Sequence, residues 1–204
     1  MTRSSRHISL AGDSIFDNDG YVPGEPGVIE QIRMSMPNDW SAIKIAVDGD
    51  CIRHVYKRVE EFPDYLTDLV ISIGGNDAMG YSHLLKDAKS LADIPRLTQG
   101  PASEFRANYA VLMDHLLRLD CALHVCTVYQ NIPFPDPLWR TAVPIALAEF
   151  NKVIQEEAGI RKIPVIHLHE ICVSDEDYSI VSPIEPSAIG GQKIVDGIID
   201  HLSN

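Results

Sequence analysis

Basic residues are in short supply in this sequence. Over 204 residues, 17 Lys and Arg stand against 29 Asp and Glu, a formal net charge of −12. Nucleic acids and anionic membrane surfaces are held through a basic footprint, so neither is an expected partner, and the acidity reads as simple solubility. Cysteine is also scarce. Cys51, Cys121, Cys126 and Cys172 form no Cys-x-x-Cys pair and no metal-type or redox-type spacing. They read as small apolar residues in a reducing compartment. The first six residues are polar and the apolar run after them is too short for a signal-peptide core, so the expectation is a cytoplasmic protein. No apolar run approaches the roughly 20 residues of a membrane span. Repeats, low-complexity tracts and internal linkers are missing. The Gly-x-Gly-x-x-Gly spacing of a dinucleotide site is missing too, which discounts a phosphate-binding doubly wound domain.

What is present is an alternation of strand and helix patterns. Residues 7–11 alternate as a strand. Residues 27–36 place Val28, Ile32 and Met36 at helical spacing. A second strand is expected at 42–47, followed by a helix at 51–62 with Ile52, Val55, Tyr56 and Val59 on one face. The run 69–73 is almost continuously apolar, as in a strand buried on both faces. Residues 81–97 have helical composition but are polar, and read as a peripheral excursion. Phe105, Tyr109, Leu112, Met113 and Leu116 mark a helix at 103–119. A fourth strand follows at 122–129, then a loop at 131–137 with three prolines. A helix runs on to about 157, with Pro144 either starting it or kinking it. A fifth strand at 163–168, a loop at 175–186 and an amphipathic helix at 187–202 close the chain. Five strands separated mostly by helices imply a three-layer α/β domain with a parallel sheet, one domain over residues 1–204.

In a parallel sheet the carboxyl ends of all strands share one edge, and open α/β folds bind ligands there. The expected strand ends carry Gly12-Asp13-Ser14, Asp48-Gly49-Asp50, Gly74-Gly75-Asn76-Asp77 and Gln130-Asn131. Ser14 is the hydroxyl nucleophile of the set. An acyl carbon under attack develops an oxyanion, which needs donors aimed at one point. The backbone amides of Ser14 and Gly49 and the side-chain amide of Asn76 are three such donors. Gly, Asn and Asp end strands everywhere, which explains each of these residues singly better than it explains all three beside a serine. Asp13 and Asp77 read as acids that brace their loops, and Asp17 and Asp19 as solvated loop residues.

Gly12-Asp13-Ser14, Gly49 and Gly74-Gly75-Asn76-Asp77 resemble the first three blocks of the SGNH (GDSL-type) hydrolases. Phe150-Asn151 and the final helix behind Pro186-Ser187 extend the resemblance over the chain. It implies a flavodoxin-like α/β/α sandwich with a five-stranded parallel sheet and an esterase with Ser14 as nucleophile. It further implies an oxyanion hole of Ser14, Gly49 and Asn76, a small-molecule ester as partner, and no cofactor or metal. The last block departs from the family. Where Asp-x-x-His-Pro-Ser is usual, this chain has Ser182-Pro183-Ile184-Glu185-Pro186-Ser187. Glu185 stands in the histidine's place and Ser182 in the aspartate's.

Three readings of the proton relay stay open. Glu185 is itself the base, which removes the need for an aspartate to fix an imidazole tautomer. Its ordinary acidity and a position just before a helix start, where the dipole favours the ionised form, count against it. Alternatively His54, His83 or His169 replaces the missing histidine. Or hydrolysis is lost and a silent binding protein keeps the pocket for an ester, sugar or acyl ligand. His167 and His169, expected two apart on a strand and so on one face, precede Glu170 but show no third metal ligand at useful spacing. The function expected is hydrolysis of a small acyl or acetyl ester through an acyl-enzyme on Ser14, with the oligomeric state open.

Overall fold

The computed structural model describes residues 5–203; the first four residues of the polar amino-terminal stretch and residue 204 lie outside the described residues. Its strands are β1 (His7–Gly12), β2 (Ser41–Lys44), β3 (Asp68–Ser72), β4 (Ala122–Cys126) and β5 (Val165–Ile166). They form one sheet, ordered β2-β1-β3-β4-β5, with every neighbouring pair parallel. Its helices are α1 (Val28–Ser35), α2 (Ile52–Arg58), α3 (Gly75–Met79), α4 (Ile94–Leu116), α5 (Pro137–Arg161), α6 (Leu168–Ile171) and α7 (Ala188–Ser203). Helix α1 packs on α7, while α4 packs on α5 and α2. This is the three-layer α/β/α sandwich expected. Strand β3 is buried along its whole length, as its apolar run requires. No helix among the described residues is long and apolar enough to cross a membrane.

Local chemistry sets the element ends. Helix α5 starts at Pro137, and the Asp136 carboxylate accepts the N–H groups of Leu138 (2.8 Å) and Trp139 (3.4 Å). It ends where Lys162 turns left-handed at φ 58° and the Ile163 N–H reaches the Ala158 carbonyl at 2.9 Å. Pro144 therefore lies inside this helix and does not begin it.

Three further expectations are corrected. Helix α4 begins nine residues before 103. Ser90 and Asp93 cap the preceding turn reciprocally and Pro95 sits in the first turn of α4, so the last four residues of the supposed excursion, 94–97, are α-helix; the remainder holds two short 3-10 segments. Strand β5 is two residues long, because the chain turns into α6 directly after His167. His167 and His169 thus do not share a strand face. The Gly74-Gly75-Asn76-Asp77 stretch does more than stop β3, since α3 begins inside it.

The candidate active site

Strand β1 ends at Gly12 with φ +119°. A Cβ there would fall 1.7 Å from the Ser72 carbonyl oxygen, so glycine is what lets β1 and β3 approach at their ends. Asp13 donates its N–H to Ser72, and the Phe16 and Asp17 N–H groups fold back onto the Asp13 carbonyl, each at 3.2 Å. The tight turn leaves Ser14 at the carboxyl edge of the sheet between β1 and β3, where the sheet order reverses.

Asn76 rides on α3. Its Nδ2 donates to the Asp50 carbonyl at 3.0 Å, and the second hydrogen of the same amide is left over. Asp77 accepts the Ile52 N–H at 3.2 Å and so braces α3 against α2, in the role read from the sequence. Gly49 takes φ +80° in an exposed turn closed by the Asp50 N–H on the Val47 carbonyl at 3.1 Å. Asp17 and Asp19 are not merely solvated. Both hold the Lys44 ammonium at 2.5 Å.

Glu185 reaches the site from a loop whose backbone is fixed at three successive carbonyls. Tyr129 donates its hydroxyl to Ile184, Ser179 its N–H to Glu185 (2.8 Å), and Asn18 its side-chain amide to Pro186 (3.3 Å). Asp177 underpins the same loop. It is fully buried, accepts the Val173 and Ser174 N–H groups at 2.9 Å and meets Lys193 at 2.6 Å. Glu185 is 4% exposed, and its Oε2 has no hydrogen-bond partner among the described residues. Burial pushes its carboxyl up to about 7; the Ser14 hydroxyl, bonded to it, pulls the other way, and the Asp48 charge adds a smaller upward push. Asp13, beside Ser14, is pushed up to about 8, chiefly by burial and in lesser part by Glu185 and Asp77; its bond from the Ile15 N–H opposes the shift.

Ser14, Asn76 and Glu185 line one cavity of about 910 Å³ of empty space, part of it open to solvent. Gly49 is not in its lining. It is tied to it only through Asp50, whose carbonyl holds Asn76. His54, His83 and His169 are not in the lining either. His54 accepts the Cys51 N–H at 3.1 Å and lies 3.6 Å from Asp50. His169 bonds Thr127 at 2.8 Å. Contrary to expectation, Glu170 does supply a third donor to His167 and His169, all three within 4.8 Å of one another, away from the cavity lining.

Several residues that build the site went unread in the sequence. Tyr129, Asn18 and Asp177 hold the Glu185 loop. Asn151 clamps Val128, a cavity-wall residue, by accepting its N–H (2.8 Å) and donating to its carbonyl (2.6 Å). Apart from Asp177, whose Ser174-x-x-Asp177 capping box is a local pattern, these partners lie 23 to 168 positions apart along the chain, so no local pattern signals them; for Asn151 alone, the resemblance of Phe150-Asn151 was the pointer.

No family model matches the chain, and no curated protein matches it. Solved structures do. A lipase from a goat rumen metagenome superposes with a TM-score of 0.74 at 17% identity, covering 96% of this chain and 97% of that one. A member of the lipolytic protein G-D-S-L family from Veillonella parvula gives 0.70 at 14% identity, covering 97% and 98%. An acetyl xylan esterase from Geobacillus stearothermophilus gives 0.66 at 17%, covering 97% and 94%. The chain shares the fold of these GDSL-type esterases and lipases over nearly its whole length.

Proposed function

We propose that this chain is a single-domain hydrolase of the SGNH (GDSL) type that cleaves small-molecule esters through an acyl-enzyme on Ser14, with Glu185 as the base. One observation carries the reading. A buried carboxyl with no cation beside it among the described residues, held near neutral in its acidity, bonds the hydroxyl at the carboxyl edge of a fold shared with esterases.

Ser14 Oγ attacks the acyl carbon while its proton passes to Glu185. The oxyanion takes the spare Asn76 N–H together with the Ser14 and Gly49 amides. The intermediate collapses, and the departing alcohol takes the proton from Glu185. Water then attacks the acyl-enzyme, gives a proton to Glu185, and Ser14 leaves with that proton restored. A Glu at its ordinary acidity would be a poor base at neutral pH, whereas one near 7 is matched to the task. The missing aspartate fits this scheme, because a carboxylate has no tautomer to fix and a second ionised acid would repel it.

The second reading is a silent binder. It draws on Gly49 lying outside the cavity lining and Asn76 being engaged by Asp50. Hydrolysis of an aryl ester by wild type, Ser14→Ala and Glu185→Gln separates the two. Loss in both variants supports the dyad. A wild type no faster than Ser14→Ala favours the binder.

A further inference from the structure

Beyond Ser14 the cavity has a wall of one kind. A single stripe of α5 forms it, through Trp139, Val143, Ala146, Leu147 and Phe150, spaced at one helical face. Met79, Leu85 and Thr98 face it from the segment between β3 and α4 and from α4 itself. Ala146 is the small residue of the stripe, and its lack of bulk opens the space.

Three of the hydroxyl groups lining the cavity are already taken. Thr98 donates its hydroxyl to the Ile94 carbonyl at 3.0 Å, within its own helix. The Tyr129 hydroxyl is spent on Ile184, and that of Tyr81 on Glu104. Four hydroxyl side chains line the cavity beyond Ser14 and Ser72; Ser82, together with the Trp139 indole N–H, is the exception to this pairing among the described residues. A sugar placed inside would strand its own hydroxyls, since a buried polar group without a partner costs binding free energy. A hydrocarbon chain strands nothing there.

We propose that the acyl side of the substrate is an unbranched aliphatic chain longer than acetyl, laid against the α5 stripe, with Ala146 setting how far it extends. The polar alcohol then points to the open side. This assignment rests on the hydrolase reading of Ser14 above, and it gives the same wall the opposite preference to that of an acetyl-specific site.

The test is a series of p-nitrophenyl esters from acetate to decanoate, with Ser14→Ala as background. Each methylene fully removed from water is worth about a factor of four in kcat/KM. The expected profile rises by on the order of 10²-fold from acetate to hexanoate and then breaks. Ala146→Phe is expected to lower the octanoate-to-acetate ratio of kcat/KM at least tenfold. Leu85→Trp, from the opposite and more exposed wall, should lower it in the same direction if Ala146→Phe does not fold. A hydrolysing enzyme with a flat profile, or one fastest on acetate, overturns the chain assignment and leaves the Ser14 chemistry standing. If no ester is cleaved above background, the hydrolase reading fails, and binding of octanamide to the Ser14→Ala protein decides the pocket. Saturable quenching of the Trp139 emission supports an aliphatic ligand, and absence of binding rejects it.

Discussion

Two glutamates in this chain are almost equally buried, and they differ in every other respect. Glu157 on α5 is 6% exposed and Glu185 is 4% exposed. Glu157 receives Arg106 at 2.7 Å and Arg161 at 2.6 Å, and Arg161 continues to Asp114 at 2.7 Å, a lattice of ions that ties α4 to α5. Burial pushes the Glu157 carboxyl up, but hydrogen bonds and charge from the two guanidinium groups outweigh it and hold the carboxyl below its usual range. Among the described residues Glu185 meets a neutral hydroxyl and no cation, so burial wins and its carboxyl rises to about 7. A buried acid with its countercharges is a structural tie. The same acid without them remains basic at neutral pH and is available to take a proton.

The sharpest way to break this comparison is to remove the partners at each end. Ser14→Ala should abolish ester hydrolysis, and Glu185→Gln should lower kcat by about 10²- to 10⁴-fold, read by initial rates on the best ester. Arg161→Met, which strips a cation from Glu157, should leave activity within about threefold, because that network lies away from the cavity. If the two glutamates are alike in function, the two substitutions will cost similar amounts of activity, and the assignment of Glu185 falls.

Stability should divide them in the opposite direction. The folded chain holds a proton on Glu185 that the unfolded chain releases between about 4.5 and 7. Unfolding free energy therefore falls as pH rises through that window, by about 3 kcal/mol for a shift of this size. Glu185→Gln should recover much of this at pH 8 and little at pH 4, so the less active variant is the more stable one at alkaline pH. Asp13 acts with the same sign over a window reaching about 8. Glu157 has the reverse sign, since its lowered carboxyl adds stability that is lost as the solution turns acid. Arg161→Met should cost roughly 2 kcal/mol at pH 7, less than breaking a lone buried pair because Arg106 remains. Urea denaturation at pH 4, 6 and 8 reads all three effects.

Much of this was legible in the sequence, and the limits are physical. Periodicity reported the five strands and the major helices, because burial on one or two faces writes itself into neighbouring residues. It failed where a cap and a proline, and not hydrophobicity, decided the outcome, as at the early start of α4, and where the chain turns straight into α6 after a two-residue β5. The cavity edge was readable in Ser14 and Asn76, which line one pocket, because strand ends are local; Gly49, expected with them, lies outside that lining. The basicity of Glu185 was not readable. It depends on Tyr129, Asn18 and Asp177 holding one loop against a sheet edge distant in sequence, and on the lack of any cation there. A helix start beside Glu185 is visible in the sequence, whereas its burial is not.

The pH dependence of catalysis refines the comparison further. With Glu185 as base, kcat/KM should follow a single acid limb with an apparent pKa near 7 and hold its level above it. Coupling to Asp13, itself near 8, makes the measured values those of the pair. Arg161→Met should leave the limb in place.

The smallest effects expected belong to the histidines. His54, His83 and His169 are outside the lining of the Ser14 cavity. His54 has the nearest indirect connection, through Asp50, whose carboxylate it approaches at 3.6 Å and whose carbonyl positions Asn76 at 3.0 Å. That link runs through the backbone of Asp50, which Arg58 also holds by its side chain. Each histidine changed to Gln should therefore alter kcat/KM by less than about threefold and leave the acid limb where it stands, an effect below about 1 kcal/mol. A loss of a hundredfold in any one of them, with the limb displaced, would return the proton to an imidazole. Glu185 would then be a second Glu157, a buried acid whose work is structural.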